Sequence, residues 1–137
     1  LLFLGIYYGF TAEFSLRVIM FSLPVGLLIT AILTANNIRD MEDDKESGII
    51  TAAIMLGKDI AVKLYYAEIG LSYLLVLFIS VLEGSFYYLL VFITVPLAAV
   101  LFRGFNREVV PANVVERTAK FQLIFGIFLF LALLFSA

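Results

Sequence analysis

The sequence predicts an all-α fold, a multi-span transmembrane helical bundle. Three observations carry this. The chain is 64% hydrophobic and only 15% charged over 137 residues, where a soluble domain is nearer half apolar and one quarter charged. Its charges sit in short segments between long uncharged runs. Those runs are continuous, whereas barrel strands alternate apolar and polar residues. Helices and closed barrels are the structures whose backbone groups are satisfied inside a bilayer, so continuous runs point to helices.

The elements follow in order. Leu1 to Tyr8 reads as the tail of an earlier helix. Arg17 and Arg39 bracket Val18 to Ile38, which carries no charge. As a helix that run rises about 31 Å, enough for a hydrocarbon core of about 30 Å. Pro24 and Gly26 lie within it, and membrane helices tolerate both. A second span runs from about Ala61 to Leu82, with Lys63 and Glu68 near its start. Glu83-Gly84-Ser85 forms a short polar turn, and Phe86 to Phe102, containing Pro96, is the third uncharged run. The last span covers about Ala119 to Ser136. The chain starts at Leu1 without an initiator Met or a basic leader, so no signal peptide is read. It is expected to be a fragment that starts inside a membrane helix.

The connections sort by charge. Residues 39–63 carry Arg39, Lys45, Lys58 and Lys63, and residues 103–120 carry Arg103, Arg107, Arg117 and Lys120. The other two connections hold Arg17 and no basic residue, respectively. The positive-inside rule then puts both basic loops in the cytoplasm, in correct alternation with the spans. The expected location is the inner or plasma membrane of a prokaryotic cell.

Several chemistries are excluded. Cysteine and histidine are absent, which removes disulfides, thiolate sites, imidazole ligands and the commonest general base. No basic stripe suggests a nucleic-acid partner.

What remains is "NNIRDMEDDKESGIITAAIMLGK", residues 36 to 58, with Asp40, Glu42, Asp43, Asp44 and Glu46 inside about two helical turns. Asn36, Asp40 and Asp44 are spaced i, i+4, i+8, which is one face if the preceding helix continues. Two carboxylates aimed at one point repel unless a cation lies between them. Hard oxygen ligands suit Mg²⁺ or Ca²⁺, and Mg²⁺ usually takes one or two carboxylates with water and substrate phosphate filling the rest. The pair therefore suggests a Mg²⁺–diphosphate site, with Arg39 and Lys45 adding positive charge for phosphate oxygens. The plainer reading is a solvated charge run, with Gly48 and Gly57 as helix ends and Thr51 as a cap.

The same stretch resembles the second Asp-rich motif of the UbiA-type intramembrane prenyltransferases, and most of all the branch acting on 1,4-dihydroxy-2-naphthoate. The resemblance is carried by Asn36-Asn37-x-Arg39-Asp40, Asp44, Gly48, Thr51, Ala53 and Gly57. It continues in "LGKDIAVKLYY", "VPLAAVLFR" and "ERTAKFQLIFGIFLFLALL", and in "GIYYGFTAEFSLRVIMFSLPVG" before the motif. It implies that residues 1–137 are the C-terminal part of a nine-helix fold, from the end of helix five through helix nine. A first Asp-rich motif would lie in a missing N-terminal half. It implies Asp40 and Asp44 as catalytic Mg²⁺ ligands, with Asn36, Arg39 and Lys45 as substrate-binding residues. The reaction implied is polyprenyl transfer from its diphosphate to an aromatic acceptor, here dihydroxynaphthoate in menaquinone biosynthesis. Ile49 and Ile50 depart from the pattern, which usually has a basic residue after the glycine matching Gly48.

Two alternatives stay open. One is another acceptor in the same superfamily, such as 4-hydroxybenzoate. The other is a non-enzymatic membrane ion carrier or assembly subunit. Tyr65, Tyr66, Tyr73, Tyr87 and Tyr88 are read as packing or interfacial anchors, or as rings facing a cation. Glu68 is expected to reach the interface or pair with Lys63 or Lys120. Arg117 and Lys120 are read as anchors or as a clamp for the acceptor's carboxylate.

Overall fold

A computed structural model describes Gly5, Tyr8, Gly9, residues 15–105 and residues 110–136. The expected helix tail at residues 1–8 falls largely outside the described residues, as does Arg107. The described residues form helices joined by short turns, and four helical segments are long and apolar enough to cross a membrane.

Helix α1 spans Leu16–Arg39. Ser15 caps it, its hydroxyl accepting from the Val18 amide at 3.4 Å, one of the orphan donors of a helix start. Two short helices follow, α2 at Met41–Glu46 and α3 at Ala52–Leu56. Between them Gly48 takes φ 71°. Its amide bonds Lys45 O at 3.2 Å and the next amide bonds Asp44 O at 2.9 Å, the paired bonds of a left-handed helix terminus. Thr51 caps α3 by accepting from the Ile54 amide, and Gly57 separates α3 from α4. These three residues are therefore the turn and cap residues that the sequence suggested.

Helix α4 spans Lys58–Glu83. It ends at Gly84, φ 63°, with the same bond pair: Gly84 N to Val81 O and Ser85 N to Ser80 O. The third span differs from a plain α-helix. Phe86–Thr94 is a 3₁₀ helix, and α5, Val95–Phe105, continues it. The change falls at Pro96, which has no amide hydrogen and crowds the carbonyl four residues back. That carbonyl, Phe92 O, is taken by the Val95 amide instead. Helix α6 spans Val114–Ser136.

Each long helix buries one stripe. On α1 it is Pro24, Leu28, Ala31, Ala35 and Ile38. On α6 it is Val114, Thr118, Phe121, Phe125, Leu129 and Ala132. The other faces are exposed yet equally apolar: Leu33 is 60% exposed, Leu74 62% and Phe130 59%. Helices that are apolar on all sides belong in lipid. Ala31 and Ala35 are fully buried on α1, and small residues let membrane helices approach closely.

Polar ties fix the directions. Arg17 meets Glu83 at 2.8 and 3.1 Å, and Thr34 meets Glu68, so α1 and α4 are antiparallel. Tyr66 OH donates to Phe102 O at 3.0 Å, and Tyr73 and Thr94 hydroxyls lie 2.6 Å apart, so α5 runs back along α4. Tyr65–Thr118 at 2.8 Å, together with the Tyr73–Phe125 ring contact, sets α6 parallel to α4. One end of the bundle thus gathers Arg39, α2, α3, Lys58 and Phe105. The other gathers Arg17, Glu83, Phe86 and Ser136.

Candidate active site at the acidic end of the bundle

The acidic segment starts where α1 stops. The expected unbroken helix is interrupted at Asp40, whose backbone turns to φ −93°, ψ 8°. The reason is local. Arg39 grips its neighbour's carboxylate with Nε to Oδ1 at 2.5 Å and Nη2 to Oδ2 at 2.6 Å. Adjacent residues do not face each other on a regular helix, so this grip needs the backbone to turn.

The alignment survives the interruption. The Asp40 amide bonds Asn36 O at 3.0 Å, and the Asp44 amide bonds Asp40 O at 2.8 Å. Asn36, Asp40 and Asp44 therefore stand on one hydrogen-bonded line. They are also the half-buried members of the segment, whereas Glu42, Asp43 and Glu46 are exposed. Met41 and Ile38 are buried beside them, which anchors the segment on the bundle.

Arg39 organises the line, for its Nη2 also donates to Asn36 Oδ1 at 2.9 Å. Hydrogen bonding from this guanidinium holds the Asp40 carboxyl below the usual carboxylate range, against a smaller opposing effect of burial. Asp40 is thus ionised at neutral pH, as a hard cation requires. Lys45 turns elsewhere, to Glu42 at 3.3 Å. Ile49 and Ile50, at the positions of the missing basic residue, are 53% and 77% exposed.

The donor set here is oxygen alone: two carboxylates and a carboxamide. That chemistry fits Mg²⁺. Among the described residues no three His, Cys, Asp or Glu side chains come together as a metal-binding group. Asn36, Asp40 and Asp44 thus share one backbone line, on which Asn36 Oδ1 and both Asp40 carboxylate oxygens accept from Arg39.

Other candidates are placed differently. Glu68 does not reach the interface and does not pair with Lys63 or Lys120. It is 9% exposed and takes a hydrogen bond from Thr34 of α1 at 3.1 Å. Its position ten residues into α4 is too deep for the surface lysines, and Lys120 is held by Glu116 one turn away at 2.5 Å. Tyr65, Tyr66, Tyr73 and Tyr88 direct their hydroxyls to Thr118, Phe102 O, Thr94 and Ser136. They pack the bundle, as the plainer reading of these rings had it. The signal that singled out Glu68 in the sequence was an acid inside an apolar run.

Recesses lie at both ends of the bundle among the described residues. One of about 330 Å³ lies at the acidic end, between Lys58, Lys63, Tyr66 and Phe105. The larger, about 620 Å³, lies at the opposite end between α1 and α6, lined by Arg17, Phe21, Val25, Leu129 and Leu133 among others. Size and chemistry therefore disagree, and the acidic line is taken as the candidate site because it sets Asn36, Asp40 and Asp44 on one hydrogen-bonded line.

Comparison with known proteins gives a consistent picture. Residues 1–131 match the UbiA prenyltransferase family. A 1,4-dihydroxy-2-naphthoate octaprenyltransferase of Bacillus subtilis (strain 168) is 33% identical over 130 residues, covering 92% of this chain and 42% of that protein. The human UbiA prenyltransferase domain-containing protein 1 is 36% identical over 110 residues, covering 80% of this chain and 32% of that protein. Its zebrafish (Danio rerio) counterpart is 33% identical over 114 residues, covering 83% and 33%. The chain thus spans between about a third and two fifths of these relatives' length.

Proposed function

The chain belongs to the UbiA prenyltransferase family, and we propose that it is the acidic-motif portion of an integral membrane enzyme that moves a polyprenyl group from its diphosphate to an aromatic acceptor. The observation that carries this is the half-buried line of Asn36, Asp40 and Asp44 at one end of a membrane bundle. Asp40 and Asp44 would hold Mg²⁺, which when bound neutralises charge developing on the leaving diphosphate. Arg39 holds Asp40 and Asn36 together through its guanidinium. The four apolar spans keep the lipid tail of the donor in the bilayer, next to the charged end where its diphosphate would sit.

The acceptor we propose is 1,4-dihydroxy-2-naphthoate, which would place the enzyme in menaquinone biosynthesis. The Bacillus subtilis relative supports this through its name, at 33% identity. The test is a competition in membranes holding the intact protein, with a polyprenyl diphosphate, Mg²⁺, and equal dihydroxynaphthoate and 4-hydroxybenzoate. Prenylated naphthoate is the expected product. Prenylated hydroxybenzoate alone would move the protein to another branch, and no prenylation of either would count against the reading. An ion carrier would need acids along several spans, and among the described residues the buried acid within a span is Glu68.

Orientation is part of the proposal. The acidic end carries Arg39, Lys45, Lys58 and Lys63, and the positive-inside rule places it in the cytoplasm of a prokaryotic cell. Single cysteines at Ser47, Ser85 and Asn113 of the intact protein report this. In sealed cells a membrane-impermeant thiol reagent is expected to label position 85 and spare 47 and 113. Labelling of 47 with none at 85 reverses the orientation.

A further inference from the structure

Glu68 stands out within the spans. A charged or ionisable group inside a membrane helix is expensive, and a leucine would pack there without that penalty. Its carboxyl is 9% exposed and lies between α4 and α1. Thr34 Oγ1 donates to Oε1 at 3.1 Å. Oε2 is buried and receives no donor. Thr30, the other hydroxyl of α1 facing this carboxyl, gives its proton to Leu27 O at 2.7 Å.

The position explains what such a group is for. Ser72, one turn further along α4, donates to the carbonyls of Glu68 and Pro24 at 2.8 and 3.0 Å. Arg17 and Glu83 tie the far ends. In the half of α1 that leads to the acidic line, the buried stripe is Ala31, Ala35 and Ile38. Small apolar surfaces in lipid have no hydrophobic drive to settle in one register. The Glu68–Thr34 bond is a side-chain tie there, two residues before Asn36 and six before Asp40, with Thr30 facing the same carboxyl one turn earlier.

We propose that Glu68 is a positioning residue: through Thr34 it fixes the register of the last turns of α1 against α4, and so sets where Asn36 and Asp40 stand. The ligand role of those residues rests on the function proposed above. The register does not, and it is measurable without metal or substrate.

The experiment uses the full-length protein with nitroxide labels at Ser47 and Asn113, both exposed at the acidic end. It compares wild type, Glu68→Gln, Glu68→Leu, Thr34→Val and the Glu68→Leu/Thr34→Val pair. Glutamine keeps an acceptor for Thr34, whereas leucine keeps bulk without one. Wild type and Glu68→Gln are expected to give one narrow label distance, and Glu68→Leu and Thr34→Val a broadened or shifted one. Mn²⁺ binding, read by its own spin resonance, is expected to weaken about tenfold in Glu68→Leu and to stay unchanged in Glu68→Gln. The double variant is expected to be no worse than Glu68→Leu, because both changes remove one interaction.

Wild-type label distances in Glu68→Leu would overturn the proposal. So would a Glu68→Gln as damaged as Glu68→Leu, which would make the charge rather than the hydrogen bond the active feature. If Glu68→Leu does not fold, Thr34→Val carries the same two outcomes from the other side of the bond. A wild type that binds no Mn²⁺ would overturn the metal assignment above, and the label distances would still decide the register.

Discussion

Replacing Asp40 or Asp44 by Asn in the intact protein is expected to lower prenyl transfer by about a hundredfold or more. Asparagine keeps the shape of the side chain and removes the negative charge that a hard cation needs. Both aspartates stand half-buried on the line that begins at Asn36, so neither loss is made good by solvent. At Asp40 the change has a second consequence, because the two-pronged grip of Arg39 on the carboxylate is reduced to a single neutral acceptor beside Asn36. Glu46→Gln is the control. Glu46 is exposed and off the line, and its variant is expected to retain most activity. The measurement is turnover at limiting Mg²⁺. Turnover near wild type in both aspartate variants would remove Asp40 and Asp44 from the metal site.

Residues 1–137 expressed alone are expected to insert in a membrane and to show no detectable prenyl transfer. Insertion depends on the spans, and four helical segments here are apolar and long enough to cross. Catalysis depends on more. Among the described residues the acidic line supplies two carboxylates, and no group of three His, Cys, Asp or Glu side chains forms there. The chain covers 42% of the Bacillus subtilis relative, and the first Asp-rich motif expected from the sequence resemblance would lie outside these residues. Half of the charge neutralisation at the leaving diphosphate would then be missing. Electrostatic contributions of this kind are worth about 3 kcal/mol each, again more than about a hundredfold. Co-expressing the remainder of the protein as a separate chain is expected to restore transfer. Robust Mg²⁺-dependent transfer by residues 1–137 alone would show that the line from Asn36 to Asp44 is sufficient.

The spacing of the candidate site was legible before any coordinates. Asn36, Asp40 and Asp44 are four apart, and a helical backbone turns that spacing into one face by local hydrogen bonds alone. The role of Arg39 was not legible in the same way. A basic residue beside an acid reads as free positive charge for a phosphate, whereas in the fold Arg39 spends its donors on Asp40 and Asn36. Lys45 reads similarly and instead meets Glu42. The same backbone turn that lets Arg39 reach its neighbour stops α1 at residue 39, and nothing in the apolar run before it signals that stop.

The sequence by itself determined the four crossings and the two sets of connecting segments, while the helix ends fall up to five residues outside the apolar runs. A bilayer imposes a rule that acts along the chain: about 20 apolar residues per helical crossing, with charges left at the interfaces. Such a rule can be read without knowing which helices touch. Only the tertiary structure decided which side of each helix is inside. Leu28 is fully buried and Leu33 is 60% exposed on the same helix, although the two residues are chemically identical. In lipid both faces of a helix are apolar, so the pattern that separates core from surface in water is erased. For the same reason the partner of Glu68 was out of reach of the sequence. Lys63 lies nearer along the chain, but the carboxyl bonds Thr34 on α1, 34 residues away. That choice belongs to the packing of α1 on α4, which brings a threonine and a glutamate of different helices together.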